Sequence, residues 1–145
     1  TAAAILSLME NQKLVAEGAG AVPVAAALFH KLPIEGKKVV CVISGGNIDV
    51  NILSRVITRG LVMSGRKANL TIALEDKPGQ LQRVAEIVSR CGSNVVSVLH
   101  DGSDPNMPIS SCFLKLTLET RDAVQIEQIR AELTKEGFQL VSERV

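Results

Sequence analysis

The residues best suited to chemistry lie in two short stretches and a few isolated side chains. Residues 44–49 read S-G-G-N-I-D, which sets a hydroxyl, a carboxamide and a carboxylate around two glycines. Ser44 and Asn47 can hydrogen-bond a polar ligand, and Gly45 and Gly46 let backbone approach it closely. Asp49 or Asn51 can cap the helical pattern that follows. Residues 76–81 read D-K-P-G-Q-L, a turn signal opening a second helix. Backbone N–H groups at such a helix start suit a carboxylate. Glu17 is the one charge in a long apolar stretch. It fits a solvent-facing carboxylate and a member of a polar site equally well. His100 and Asp101 close a strand pattern, and Lys37 and Lys38 open one; neither pair is assigned a role. By residue type alone, 44–47 is most simply a tight strand-to-helix turn with capping side chains.

Each stretch needs elements to hold it. Residues 39–43, V-V-C-V-I, run into Ser44 with no polar face. That pattern predicts a strand covered on both sides, as inside a parallel α/β sheet. A strand ending in a Gly-Gly turn with a helix behind it is where α/β proteins hold ligands. Upstream, residues 2–14 are helical in pattern with an interruption near 10–12. A second helix is predicted over 22–30, with Pro23 in its first turn. A loop is predicted over 32–36, and a helix over 52–57. One buried-type strand without a neighbour would leave N–H and C=O groups unpaired on both edges. Residues 1–65 are therefore expected to be an incomplete α/β fragment, needing strands from missing sequence or another copy of the chain. Solvation of residues 39–43, or a self-sufficient fold around them, would count against that expectation. A linker over 59–67, flexible at Gly60 and Gly65, separates this fragment from residues 66–145.

The second half reads as a complete small domain. A strand over 69–74 carries Leu70, Ile72 and Leu74 on one face. The turn at 75–79 leads into an amphipathic helix over 80–91, with Leu81, Val84, Val88 and Cys91 at helical spacing. Strand 95–100, a polar loop at 101–108 and strand 110–119 follow, the last pointing Cys112, Leu114, Leu116 and Leu118 inward. A helix over 121–136 carries Ile126, Ile129 and Leu133 and stops at Gly137. Residues 138–141 are the final strand. This βαββαβ order is the ferredoxin-like α+β fold.

Composition narrows the function classes. A formal charge of +1 and no Trp or Tyr leave neither a basic footprint nor stacking rings, so no nucleic-acid partner is expected. No apolar run reaches membrane-spanning length, and the first ten residues carry no charged targeting region. Cys41, Cys91 and Cys112 are an odd count set in apolar patterns. Buried free thiols in a reducing cytoplasm are expected, and a metal site is not.

Two resemblances cover nearly the whole chain. Residues 66–145 resemble an ACT domain, the small amino-acid-sensing module of this βαββαβ order. Asp76-Lys77-Pro78-Gly79-Gln80-Leu81 and Gly92-Ser93-Asn94-Val95 carry that likeness. Residues 1–65 resemble the C-terminal end of the catalytic domain of fold-type II pyridoxal-phosphate enzymes. The family approached most nearly is threonine dehydratase (threonine ammonia-lyase), with serine dehydratase and serine racemase as relatives. Here the likeness rests on Glu17-Gly18-Ala19-Gly20-Ala21 and on residues 42–49. With a single ACT domain behind them, the order resembles the catabolic-type, single-ACT enzymes.

The resemblance implies roles. Ser44 would hydrogen-bond the pyridine nitrogen of the cofactor, and a neutral hydroxyl there makes the ring a milder electron sink than an aspartate would. Gly45 and Gly46 would lie against the ring edge, Asn47 would hold the turn and Glu17 would sit beside the ring. In the ACT half, residues 76–81 would hold an amino acid's carboxylate on backbone N–H groups. Asp76, Lys77, Pro78, Gly79 and Leu81 form that turn, and Asp76 or a partner acidic group would meet the ammonium. Asn94 would add a contact, usually across a dimer interface. The expected effector is a branched-chain amino acid, threonine or serine. A homo-oligomer is expected, through the ACT domain and the incomplete sheet.

Departures from the family matter equally. Its cofactor-bearing lysine and glycine-rich phosphate loop have no counterpart in these residues. Pyridoxal phosphate is therefore expected in a full-length parent and not on this chain, which should lack dehydratase activity. Threonine catabolism and isoleucine biosynthesis both fit the parent. The alternatives are a stand-alone amino-acid-binding or dimerisation module, and a first half that merely mediates association.

Overall fold

The computed structural model describes residues 1–105 and 107–141. They divide into two compact units, Thr1–Gly60 and Leu61–Val145.

In the first unit, α1 (Ala2–Ser7) passes into a π-helical turn, Leu8–Gln12, which Lys13 closes at φ 58°. This is the expected interruption. Helix α2 (Val22–Leu28) opens with Pro23 in its first turn, where a missing N–H breaks no helical bond. Helix α3 (Val50–Met63) is capped by Asp49, whose Oδ1 accepts from the N–H groups of Asn51 at 2.8 Å and Ile52 at 3.2 Å. The core of this unit is small: Ala4, Ile5, Leu8, Ala16 and Ala21, with Ile43, Ile48, Leu53 and Val56 packed around them.

Two expectations for this half are corrected. Residues 39–43 belong to no strand; Val40 is 89% exposed and Val42 72%, while Cys41 and Ile43 are half-buried. All strands among the described residues lie between Lys67 and Val141, in one sheet of four, so this segment has no neighbour to complete a ladder. The second correction concerns residues 59–67. Helix α3 runs through Gly60 to Met63 instead of stopping at Ile57. Gly60 is there for closeness, since a Cβ on it would come within 2.2 Å of Leu6 Cδ2. Gly65, at φ 70°, ends the helix, with Arg66 N–H reaching back to Leu61 O at 2.8 Å. The division between units thus falls inside α3, ahead of Gly65.

The second unit follows the predicted order: β1 (Lys67–Glu75), α4 (Gln80–Arg90), β2 (Asn94–Asp101), β3 (Ser111–Glu119), α5 (Ala123–Lys135) and β4 (Gln139–Val141). The sheet order is β2-β3-β1-β4 with every pair antiparallel, which is the ferredoxin-like arrangement. Register sets Leu70 opposite Leu116 and Ile72 opposite Leu114. Opposed residues share a face, so these side chains form one apolar layer. Val84, Ile87, Val88, Ile129 and Leu133 from the two helices pack onto it.

Leu81 was expected on that layer but is 49% exposed, and Ile87 is buried instead. Ile126 is only half-buried, and its neighbour Gln125 is the buried group. Gln125 Nε2 donates to Cys91 O and its Oε1 accepts from Arg121 N–H, each at 2.7 Å. One carboxamide thereby pairs two backbone groups at helix ends, Cys91 O in a buried bond and Arg121 N–H in a part-buried one. Cys91 and Cys112 are buried free thiols, as expected, whereas Cys41 is half-buried.

Candidate functional site

The first candidate site is built by glycines. Gly45, at φ 78°, accepts the Glu17 N–H on its carbonyl at 3.1 Å. A Cβ on Gly45 would lie 2.6 Å from the Glu17 carboxyl carbon, and one on Gly20 would lie 2.1 Å from Ser44 O. A Cβ on Gly46 would come within 2.9 Å of Val15 O. The two stretches are therefore in backbone contact that only hydrogen at these positions allows. Ser44, Gly45, Gly46 and Asn47 are exposed, and Glu17 is half-buried beside them. All five expected residues meet at one place on the first unit.

The second candidate site is the turn into α4. Gln80 N–H donates to Lys77 O at 3.4 Å, and Gly79 sits at φ 89°, ψ −15°. Pro78 at the second position and Gly79 at the third match a type II turn, whose third residue needs positive φ. Asp76 N–H donates to Ser110 O at 2.8 Å, which ties the turn to the start of β3. Lys77 pairs with Glu75. The N-cap of α4 is Gly79, which has no side chain to cap the helix, so the anion-seeking end of the helix dipole is open to a ligand or water.

Asn94 is not brought to this turn within one chain. It pairs with Glu119 at the far end of β3, its Nδ2 donating to Glu119 Oε2 at 3.0 Å. Strand β2 carries it roughly 20 Å from His100, at about 3.3 Å per residue. Asn94 could join the turn only from a second copy of the chain.

Four residues near the turn were given no site role by the sequence reading. His100 Nε2 lies 3.3 Å from Asp76 Oδ1. Gln80 lines a groove of about 500 Å³ together with Glu75, Arg83, Glu136 and Phe138. Its Oε1 is buried with no hydrogen-bond partner among the described residues. The Arg83 guanidinium stands 5.2 Å from the Phe138 ring centroid, a cation–π contact beside the groove. Cys112, read only as a core thiol, lies close to Asp76 and His100. The strand order was the available signal, since the end of β1, the end of β2 and the start of β3 share one edge in a βαββαβ sheet.

The charged groups here are tuned locally. A hydrogen bond from Lys115, then two from Ser103, hold the Asp101 carboxyl well below the usual carboxylate range. Burial pushes the Cys112 thiol up, and the Asp76 charge adds to that.

Comparison with known proteins gives a consistent family name. The chain is 49% identical over 137 residues to an L-threonine ammonia-lyase of Thermotoga maritima, covering 94% of this chain and 34% of that protein. An L-threonine ammonia-lyase of Geobacter sulfurreducens is 41% identical over the same coverage. A biosynthetic L-threonine dehydratase of Halalkalibacterium halodurans is 41% identical over 78 residues, 54% of the chain. The chain thus resembles threonine ammonia-lyases across both of its units while spanning about a third of the length of these curated relatives. No protein-family model matches it. Among solved structures, an ACT domain from a GTP pyrophosphokinase of Chlorobium tepidum overlays 52% of the chain at 15% identity and a TM-score of 0.40. No helix among the described residues is long and apolar enough to cross a membrane.

Proposed function

We propose that the chain is the C-terminal portion of a pyridoxal-phosphate-dependent threonine ammonia-lyase, which converts L-threonine to 2-oxobutanoate and ammonia. Residues 1–65 complete its catalytic domain, and residues 66–145 are its ACT regulatory domain. The observation that carries this reading is the similarity to such enzymes over 94% of the chain and only 34% of theirs. Val39, Val40 and Val42 are exposed, the outcome that counts against the incomplete-sheet argument, so the reading rests on the similarity alone.

When bound in the full-length enzyme, the cofactor supplies an electron sink for β-elimination. This chain's part is to orient it. The Ser44 hydroxyl would hydrogen-bond the pyridine nitrogen without delivering a full proton, and Gly45 and Gly46 would leave room for a ring edge. Glu17, set against Gly45, fixes the neighbouring loop. Lacking the lysine that anchors the cofactor, the chain alone does not catalyse the reaction.

In the second unit an amino-acid effector places its carboxylate at the α4 N-terminus. Asp76 and the unpartnered Gln80 Oε1 are acceptors for its ammonium. Two copies pair to bring Asn94 to the site, and free thiols suit a cytoplasmic setting. The separate core of the second unit also favours a second reading, a stand-alone amino-acid-responsive module.

Pyridoxal phosphate and threonine distinguish the two readings. Added to this chain, they should give no Schiff-base absorbance and no 2-oxobutanoate. Added to the chain joined to its natural upstream residues, they should give both. A lengthened protein that folds and gives neither would overturn the enzyme reading and leave the module.

A further inference from the structure

We propose that Asp76, His100 and Cys112 form a binding site for one zinc-class divalent metal ion. The three residues reach one end of the sheet from three places: just beyond β1, the end of β2 and the start of β3. One carboxylate oxygen, one imidazole nitrogen and the thiol sulfur all lie within 4.8 Å of one another. Zinc bond lengths of about 2.0–2.3 Å in a tetrahedral arrangement set ligand atoms roughly 3.3–3.8 Å apart. The Asp76–His100 distance of 3.3 Å is already of that size. Closing the rest onto sulfur asks for movements of roughly 1 Å, and the two side chains that must move are half exposed.

The donor set selects the ion. Sulfur, nitrogen and oxygen together suit borderline-soft zinc, or cobalt in its place, and not magnesium or calcium, which take oxygen alone. Cys112 is fully buried and gives the site a fixed floor, while Asp76 and His100 leave its outer side open. Three protein ligands with an open fourth position is the pattern of a zinc ion that keeps a water or takes up a ligand. Binding forms a metal–sulfur bond, breaks the S–H bond and releases that proton to solvent, with no change of oxidation state. The site does not depend on whether Asp76 also serves an amino-acid effector.

Cobalt(II) titration of the reduced full chain tests it, because thiolate-bound cobalt absorbs by charge transfer in the near ultraviolet. One cobalt per chain, a band that zinc abolishes and proton release on binding are expected. Cys112→Ser should remove the band, and His100→Gln should weaken binding at least about tenfold. Absence of the band in the parent chain, or a band retained in Cys112→Ser from Cys41 or Cys91, would overturn the proposal. Should Cys112→Ser fail to fold, His100→Gln decides at an exposed position, and unchanged affinity there overturns it equally.

Discussion

Replacing Gly79 by alanine isolates the backbone geometry of the turn into α4, because a Cβ at that position meets nothing within 4 Å. Any effect must then come from the conformation itself. At φ 89°, ψ −15° an L-residue crowds its own carbonyl, at a cost of roughly 1–2 kcal/mol. Alanine also narrows the unfolded ensemble, which offsets about 0.4–1 kcal/mol of that. The net loss should be near 1 kcal/mol, or about fivefold in the folding equilibrium. Strand β3 pairs with a strand on either side, so its amides exchange through opening of the whole second unit. Native-state hydrogen exchange at those amides should accelerate about fivefold in Gly79→Ala. It should accelerate less in Gly79→Asn, since asparagine visits positive φ more readily. Equal exchange in all three proteins would refute the type II turn and, with it, the presentation of the α4 N-terminus.

Gln125→Leu should destabilise the second unit by roughly 1–3 kcal/mol, because Cys91 O is left buried without a partner and Arg121 N–H loses its acceptor. A urea-unfolding loss below about 1 kcal/mol would contradict that accounting. Gly20→Ala sets a methyl against the Ser44 carbonyl, a backbone group that cannot turn aside. Loosening of the loop by roughly 1–3 kcal/mol should appear as faster exchange of the Glu17 amide, and unchanged protection would count against the packed loops. Burial, then the Glu132 charge, raise the Cys91 thiol above its ordinary range. The folded chain therefore keeps this proton longer than the unfolded one. The contribution is complete below the unfolded thiol pKa of about 8.5 and is lost as pH rises through the higher folded value. Unfolding free energy should fall with pH in that alkaline window, and Cys91→Ala should flatten the fall. An unchanged slope in the variant would refute the assignment.

Where a signal is local and periodic, the sequence carried the structure. Alternation in residues 111–119 sets Cys112, Leu114, Leu116 and Leu118 inward, and they are buried. The D-K-P-G turn is likewise specified by its own proline and glycine. Residues 39–43 show where local signals stop. Their apolar side chains predict burial, but a strand also needs a neighbour to take its N–H and C=O groups, and no such strand occurs among the described residues. Leu81 misled because apolar spacing marks a stripe without saying where along the helix the sheet meets it. Gln125 was hidden for a different reason. Polar residues are read as outward, and its burial follows from two helix-end backbone groups that only the packed structure brings together. Asp76, His100 and Cys112 have no motif spacing, and strand order alone makes them neighbours.

Calorimetric titration of the chain with isoleucine, valine, threonine and serine tests the regulatory reading most directly. Saturable heat with at least one of them, lost in Asp76→Asn, is the predicted result. No heat with any of the four, from a protein whose β3 amides remain protected, would contradict it.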